Sequence, residues 1–463
     1  MRFLRFGAIA LEFALLIAAS VFFSRWFYLG LIFRALSVVL CVVVLNTEMN
    51  DAYKTLYVLL LCMFSLFGTI VCGVMQLGKW RAARRSRRTD EEYSKTGNYL
   101  ASQFGAEAYA AENIRYFDNG REFFEALIAD IDKAKRFVFL QFYIVKAGVL
   151  QKKLFSAMKN AVARGAEVRL LYDGFGSGGF EKEIKAFAAE TGVTCRCFNK
   201  IGLFFKGGVN NRNHSKSAVI DGVKGYVGGV NVGDEYFGED LRCGIWKDGG
   251  MSYEGRAVNA LTEGFFTAYD FGRRKKERYE RYLNRAKPAA DGGELRTFVS
   301  APTRGVSRLA EVYKTLVYNA KKSVVISTPY LIPDDGVSSA LAAAAARGVE
   351  VSVVIPGIPD KKTVYAVTLS VAEKLKKRGV NVLKYKKGFI HAKNTAVDGR
   401  YAVCGSGNLD YRSMYLHFET GVFVKSAKLA KTVERDILKD AAPYEEKAAG
   451  VKGKLLKVFA PMM

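Results

Sequence analysis

Histidine is nearly absent from this chain, with three in 463 residues. Acidic residues are also in deficit: 45 Asp and Glu stand against 70 Lys and Arg, a formal net charge of +25. A deficit of that size favours an anionic partner, either nucleic acid or the surface of an anionic membrane. Seven cysteines is an odd number, and none has the ligand spacing of a zinc site; Cys195 and Cys197 stand isolated. That pattern excludes a disulfide framework and a structural metal, so no metal is expected. No G-x-x-x-x-G-K-[ST] segment occurs, which removes the ATP-binding loop.

Apolar residues are abundant but unevenly spread. Three runs open the chain, at roughly 6–23, 26–45 and 56–76. The third carries no charge and is long enough to cross a bilayer. The second contains Arg34 and the first Glu12, which makes their crossing less secure. No small-residue cleavage site precedes the second run, so a cleaved signal peptide is not expected. RAARRSRR follows at 81–88, and by the positive-inside rule it stays cytoplasmic. NTEMNDAYKT, poor in basic residues, reads as an outer loop. Arg2 and Arg5 argue against an external N-terminus, so two crossings with an interfacial first segment stand beside three crossings. The expected layout is a membrane anchor at 1–80, a basic juxtamembrane linker at 81–110, and a cytoplasmic remainder.

That remainder repeats itself. AKRFVFLQFY (134–143) and AKKSVVISTPY (320–330) read as matching strands. Each precedes a helical stretch and then a second strand, in ARGAEVRLLYDG (163–174) and ARGVEVSVVIPG (346–357). Strand, helix and apolar strand imply α/β units around a largely buried sheet. The halves are expected at 111–270 and 297–463. Between them, 271–296 reads as a charged, solvated helix and a linker. The basic C-terminus, VKGKLLKVFAPMM, reads as an amphipathic tail that either touches lipid or packs on the protein.

Two of the three histidines fall in one repeated pattern. His214 is followed by Lys216 and Asp221, and His391 by Lys393 and Asp398. At one shared spacing beyond each histidine comes an asparagine, Asn231 or Asn408. In a strand, residues i and i+2 share a face, so histidine and lysine point the same way. Facing the two copies together would gather two imidazoles, two ammonium groups and two amides around one phosphodiester. The cations and amides neutralise phosphoryl oxygens. One imidazole attacks phosphorus and the other protonates the leaving alcohol. GFGSGG at 174–179 matches a dinucleotide fingerprint. It lacks the acidic residue further on, and the second half does not keep the glycines, so no nucleotide site is expected.

The paired pattern resembles the HKD motifs of the phospholipase D superfamily. Its surroundings, NRNHSKSAVIDG (211–222), GGVNVGDEY (228–236), TPYLIPD (328–334), GFIHAKNTAVDG (388–399) and GSGNLDYRSMYLHFE (405–419), are similar to bacterial cardiolipin synthases. The likeness covers roughly residues 95 to 463. It implies two fused phospholipase D-like α/β halves with pseudo-twofold symmetry behind N-terminal transmembrane helices. It implies a phosphatidyl transfer between two phosphatidylglycerols, without cofactor or nucleic acid, at the cell membrane. His214, Lys216, Asp221, His391, Lys393 and Asp398 become the catalytic set, with Asp221 and Asp398 bracing the fold. Asn231, Asn408 and Ser406 are the phosphate-binding candidates. A carboxylate should orient each histidine: Glu419 for His391, and Asp248 for His214. His214 is the expected nucleophile, and His417 is expected to be structural. Two departures stand out. Ser215 replaces a usual basic residue, and Gly249 is unusual after Asp248. Phospholipid hydrolysis, transfer to another acceptor, nucleic-acid cleavage and a silent scaffold are the competing functions.

Overall fold

The computed structural model describes residues 14–15, 17–22, 27–47, 49–70, 109–110, 112–200, 210–286, 294–302, 306–444 and 456. The arginine-rich stretch at 81–88 and the C-terminal tail, except Leu456, lie outside the described residues. Two helices come first, α1 (Phe27–Leu45) and α2 (Asp51–Met63). The first half holds β1 (Tyr109–Ala110), β2 (Glu112–Phe117), α3 (Gly120–Ile131), β3 (Phe137–Phe142), α4 (Val149–Ala163) and β4 (Glu167–Asp173). It continues with α5 (Glu181–Thr191), β5 (Thr194–Phe198), β6 (Arg212–Asn213), β7 (Ser217–Ile220), β8 (Lys224–Gly228) and α6 (Asp234–Phe237). It ends with β9 (Ile245–Lys247), β10 (Gly250–Glu254) and α7 (Asn259–Tyr269).

The second half holds β11 (Glu294–Ser300), α8 (Arg308–Asn319), β12 (Ser323–Ser327), α9 (Asp335–Ala346), β13 (Glu350–Pro356), α10 (Lys362–Lys376) and β14 (Asn381–Tyr385). After these come β15 (Gly388–Ile390), β16 (Lys393–Val397), β17 (Tyr401–Gly405), α11 (Tyr411–Tyr415), β18 (His417–Lys425), α12 (Ala427–Leu438) and β19 (Ala441–Pro443).

The duplication is complete at the level of topology. One sheet runs β2-β10-β8-β7-β3-β4-β5, and the other contains β11-β18-β17-β16-β12-β13-β14 in the corresponding order. In each, three strands are parallel and the strand that follows the motif histidine, β7 or β16, joins them antiparallel. The parallel strands are buried on both faces, as in FVFLQF of β3, because helices cover the sheet. One apolar core runs through both sheets, from Phe139 and Val219 to Val325, Ala396 and Val422, with Phe265 of α7 and Val433 of α12. The halves therefore share a core rather than touching at a polar seam.

Three expectations need correction. The segment 271–296 forms no α-helix in its described part; a 3-10 turn, Glu280–Tyr282, is its only helical element there. Part of its charge is held in ion pairs, Glu277 receiving Arg169 at 2.5 Å and Arg273 at 2.6 Å, while Arg274, Lys275, Lys276 and Arg278 are exposed. β1, which falls in the expected linker, pairs with β11 of the second sheet. The third apolar run also differs from one spanning helix. α2 ends at Met63, Phe64 breaks the helix, and Tyr57 and Leu61 are buried against the second half. Among the described residues no helix is long and apolar enough to cross a membrane.

Candidate active site

The motif aspartates act where each strand ends. Asp221-Gly222 and Asp398-Gly399 turn the chain with positive φ at both residues (54° and 73°; 55° and 60°). Asp and Gly tolerate that conformation, which suits the turn of a tight hairpin. The Asp221 carboxylate accepts the backbone N–H groups of Lys135, Arg136 and Phe137 at 2.7–2.9 Å. Asp398 accepts those of Lys321, Lys322 and Ser323 at 2.7–3.1 Å. A strand rises roughly 3.3 Å per residue, so each aspartate sits far along the strand from its histidine. They brace the repeat and are not reacting groups, which removes them from the catalytic set.

At the other end of those strands the halves interlock. β6 pairs in parallel with β18, in the register Asn213 to Phe418. β15 pairs in parallel with β9, in the register Ile390 to Lys247. The next residue on each strand is then a histidine facing a carboxylate from the other half. His214 Nδ1 lies 2.8 Å from Glu419 Oε1, and His391 Nδ1 lies 2.5 Å from Asp248 Oδ2. The expected pairing is therefore crossed: Glu419 holds His214, and Asp248 holds His391. Repeat-internal reasoning missed this because the exchange depends on two short strand pairs between the halves.

The lysines complete one buried cluster. Lys216 Nζ donates to the carbonyl of His214 at 2.5 Å. Lys393 Nζ donates to the carbonyl of His391 and lies 2.7 Å from its Nδ1. Asp248 and the ammonium compete for that nitrogen; we assign its proton as donated to Asp248, which leaves Lys393 on the carbonyl. Burial pushes Lys216 well down and Lys393 down to about 8, with Asp248 and Glu419 opposing. Burial raises the Asp248 carboxyl to about 6 against the pull of Lys393. Burial also opposes ionisation of Glu419, yet His214, His417 and Lys216 hold it well below the usual carboxylate range. Both imidazoles lie well below their ordinary value, through burial first and the lysine charges besides. Each is a neutral ring held by Nδ1, which leaves an Nε2 lone pair available for attack.

Ser406 does not face an empty phosphate position. Its hydroxyl donates to Glu419 Oε2 at 2.5 Å and so braces the carboxylate that holds His214. Asn231 takes the Ile144 N–H at 3.1 Å and donates to the Tyr236 hydroxyl at 2.8 Å. Asn408 Nδ2 donates to Asp410 at 2.9 Å, and its Oδ1 has no partner. Each amide retains a second N–H beyond these bonds. The two departures have local causes. Ser215 is buried and accepts from the Thr420 hydroxyl at 3.0 Å. A Cβ on Gly249 would lie 2.1 Å from the Phe117 carbonyl oxygen, while its own N–H donates to Asp248 at 2.8 Å.

The aromatic lining was not foreseen. His391 is packed by Trp246, Tyr236 and Phe389, with ring centroids at 5.5, 5.4 and 5.9 Å. His214 has Tyr143 at 5.0 Å and His417 at 5.3 Å. Tyr143 follows β3 directly, at the end of the AKRFVFLQFY repeat segment. His417, expected to be structural, lies in the site: its Nε2 accepts from Arg412 Nε at 3.4 Å, and its Nδ1 is 3.6 Å from Glu419. Among the described residues, His214, His417 and Glu419 are the one group whose ligand atoms lie within 4.8 Å of one another. Two of those three groups already serve as the bonded histidine–carboxylate pair.

A duplicated α/β fold that brings two carboxylate-held histidines and two lysines into one buried cluster defines a protein of the phospholipase D type. The chain belongs to the family described as cardiolipin synthase, PLD-like domain, which matches residues 127–248 and 313–441. It is 35% identical over 333 residues to a cardiolipin synthase of Listeria innocua, covering 71% of this chain and 68% of that one. With a cardiolipin synthase of Oceanobacillus iheyensis it is 31% identical over 376 residues, 79% of this chain and 78% of the other. The solved phosphatidylserine synthase of Haemophilus influenzae Rd KW20 shares the fold with a TM-score of 0.60 at 14% identity. That likeness covers 81% of this chain and 97% of that one.

Proposed function

We propose that this enzyme transfers a phosphatidyl group between two phosphatidylglycerol molecules, giving cardiolipin and glycerol. His214 Nε2 attacks the phosphorus of the first lipid, and the bond from phosphorus to the glycerol head group breaks. His391 gives its proton to the departing glycerol oxygen. It then takes the proton of a hydroxyl on the second lipid, whose oxygen displaces His214 from phosphorus. One phosphodiester is broken and one is made, so the exchange needs no outside energy source. Both rings start neutral; the anionic phosphate entering between them favours uptake of one proton from solvent at His391 Nε2, and this is the proton that passes to glycerol and is restored from the second lipid's hydroxyl. Lys216 and Lys393 offset the charge that builds on the phosphoryl oxygens, and the second N–H of Asn231 and Asn408 is free to add to them.

The observation that carries this reading is the crossed holding of the histidines, each fixed by a carboxylate of the other half. We also place the apolar N-terminal region at the cell membrane and the two halves on its cytoplasmic side. The apolar runs and the arginine-rich 81–88 support that placement.

Expression in bacteria that lack cardiolipin tests the function, with lipids read by mass spectrometry beside a His214→Ala control. Cardiolipin should appear with the unaltered chain only. Phosphatidic acid in its place would mean that water is the acceptor and would overturn the transfer reading.

A further inference from the structure

The packing of α1 and α2 conflicts with a conventional pair of membrane crossings. Met49, Tyr53, Tyr57 and Leu61 are buried in the core of the second half. Tyr53 meets the rings of Tyr411 and Tyr415 edge-on, at 6.2 and 6.1 Å. Asn50 caps α2 through the Ala52 N–H at 3.0 Å and donates from Nδ2 to the Tyr415 hydroxyl at 3.1 Å. The Tyr415 hydroxyl donates in turn to Asp334. The turn joining α1 to α2 is thus fastened to α11, the helix that follows Asn408. A hydrocarbon core is about 30 Å thick. A turn in contact with the second half cannot also lie beyond that core.

The outer side of α1 is the opposite of its packed side. Leu31, Ile32, Leu36, Val38, Val39, Val42, Val43 and Leu45 are each between 41% and 64% exposed. At about 100° per residue they cover roughly half of the helix circumference. Ser37 and Val44 face the other way and are buried, with Ser37 Oγ donating to the Ser65 carbonyl at 3.2 Å. An apolar face of that extent needs a cover. Charge indicates which one. Lys374, Lys377 and Arg378 outnumber Asp51 and Asp335 among the charged residues lining a cleft of about 600 Å³ at the start of α2. Arg34, exposed at the margin of the aliphatic arc, can reach toward head groups from a helix lying at the surface. In mid-bilayer the same charge would be costly.

We propose that the α1–α2 hairpin does not cross the membrane but lies on the side of the catalytic halves, with α2 packed on the second half and the aliphatic face of α1 set in the near leaflet of an anionic bilayer. The turn at 46–50 then stays in the catalytic compartment, and is not the outer loop expected from its composition. This inference rests on the reading that the N-terminal region is membrane-bound.

The test uses the full chain with Asn46→Cys, or with Lys182→Cys as a reporter on exposed α5. Spheroplasts are treated with a membrane-impermeant maleimide before or after lysis, and labelling is read peptide by peptide. Both positions should label only after lysis. Labelling of position 46 but not position 182 in intact spheroplasts would overturn the hairpin. Labelling of both in intact spheroplasts would support the hairpin and overturn the cytoplasmic placement of the enzyme. Release of the chain from membranes by a salt and carbonate wash would overturn the membrane reading itself. In a second arm, Val39→Glu with Val43→Glu should lower binding to phosphatidylglycerol vesicles at least tenfold. Unchanged binding would mean that lipid does not cover this face.

Discussion

At the scale of single residues, reactivity here is set by burial and by partner. His214 and His391 are buried in the same cluster as two lysines, and neither could be a useful nucleophile without a fixed tautomer. Glu419 and Asp248 supply it. The two carboxylates differ: Glu419 also takes the Ser406 hydroxyl and is held well below its ordinary value, whereas burial lifts Asp248 to about 6. As pH falls through about 6, Asp248 takes up a proton and loses its hold on His391. As pH rises through about 8, Lys393 loses the charge that faces the phosphate. The account therefore expects kcat/KM to fall on both sides, with limbs near pH 6 and pH 8, and the acid limb to vanish in Asp248→Asn. A second prediction tests the crossed pairing. In unfolding experiments, His214→Ala and Glu419→Gln should couple by about 1–3 kcal/mol, against about 0.5 kcal/mol for His391→Ala with Glu419→Gln. The reverse order would restore the pairing expected from sequence.

At the scale of elements, the repeat was legible because its signals are local. The strands at β3, β4, β12 and β13 are short apolar runs, and each histidine–lysine motif leads directly into a strand, β7 or β16, rather than lying within one. The Asp-Gly that closes each motif is a hairpin turn written in sequence. The exchange of carboxylates was not legible. It depends on β6 and β9, strands of two and three residues whose partners lie in the other half. No periodicity can show in so short a segment. The segment at 271–286 misled for another reason: its charges suggest a solvated helix, but Glu277 pairs with Arg169 and Tyr282 donates to Glu167, which ties the segment to the body of the protein. Asp398→Ala should separate fold from chemistry. Losing the N–H contacts to Lys321, Lys322 and Ser323 should cost about 2–3 kcal/mol of unfolding free energy in urea. The remaining folded protein should keep its kcat. A tenfold loss of kcat with unaltered stability would return Asp398 to the reacting set.

At the scale of the whole molecule, neither half holds both a histidine and the carboxylate that fixes it. Each offers a histidine and lysine to the centre and a carboxylate to its counterpart, over a core that both sheets share. In the proposed reaction the first half attacks and the second transfers the proton. That division is most directly tested by trapping. Phosphatidylglycerol with a labelled phosphate is mixed with His391→Ala and quenched in alkali, and the adduct is located by peptide mapping. The account predicts a phosphorus–nitrogen bond on His214, and no adduct at all in His214→Ala. Label found on His391 when His214 is replaced, and never on His214, would contradict it.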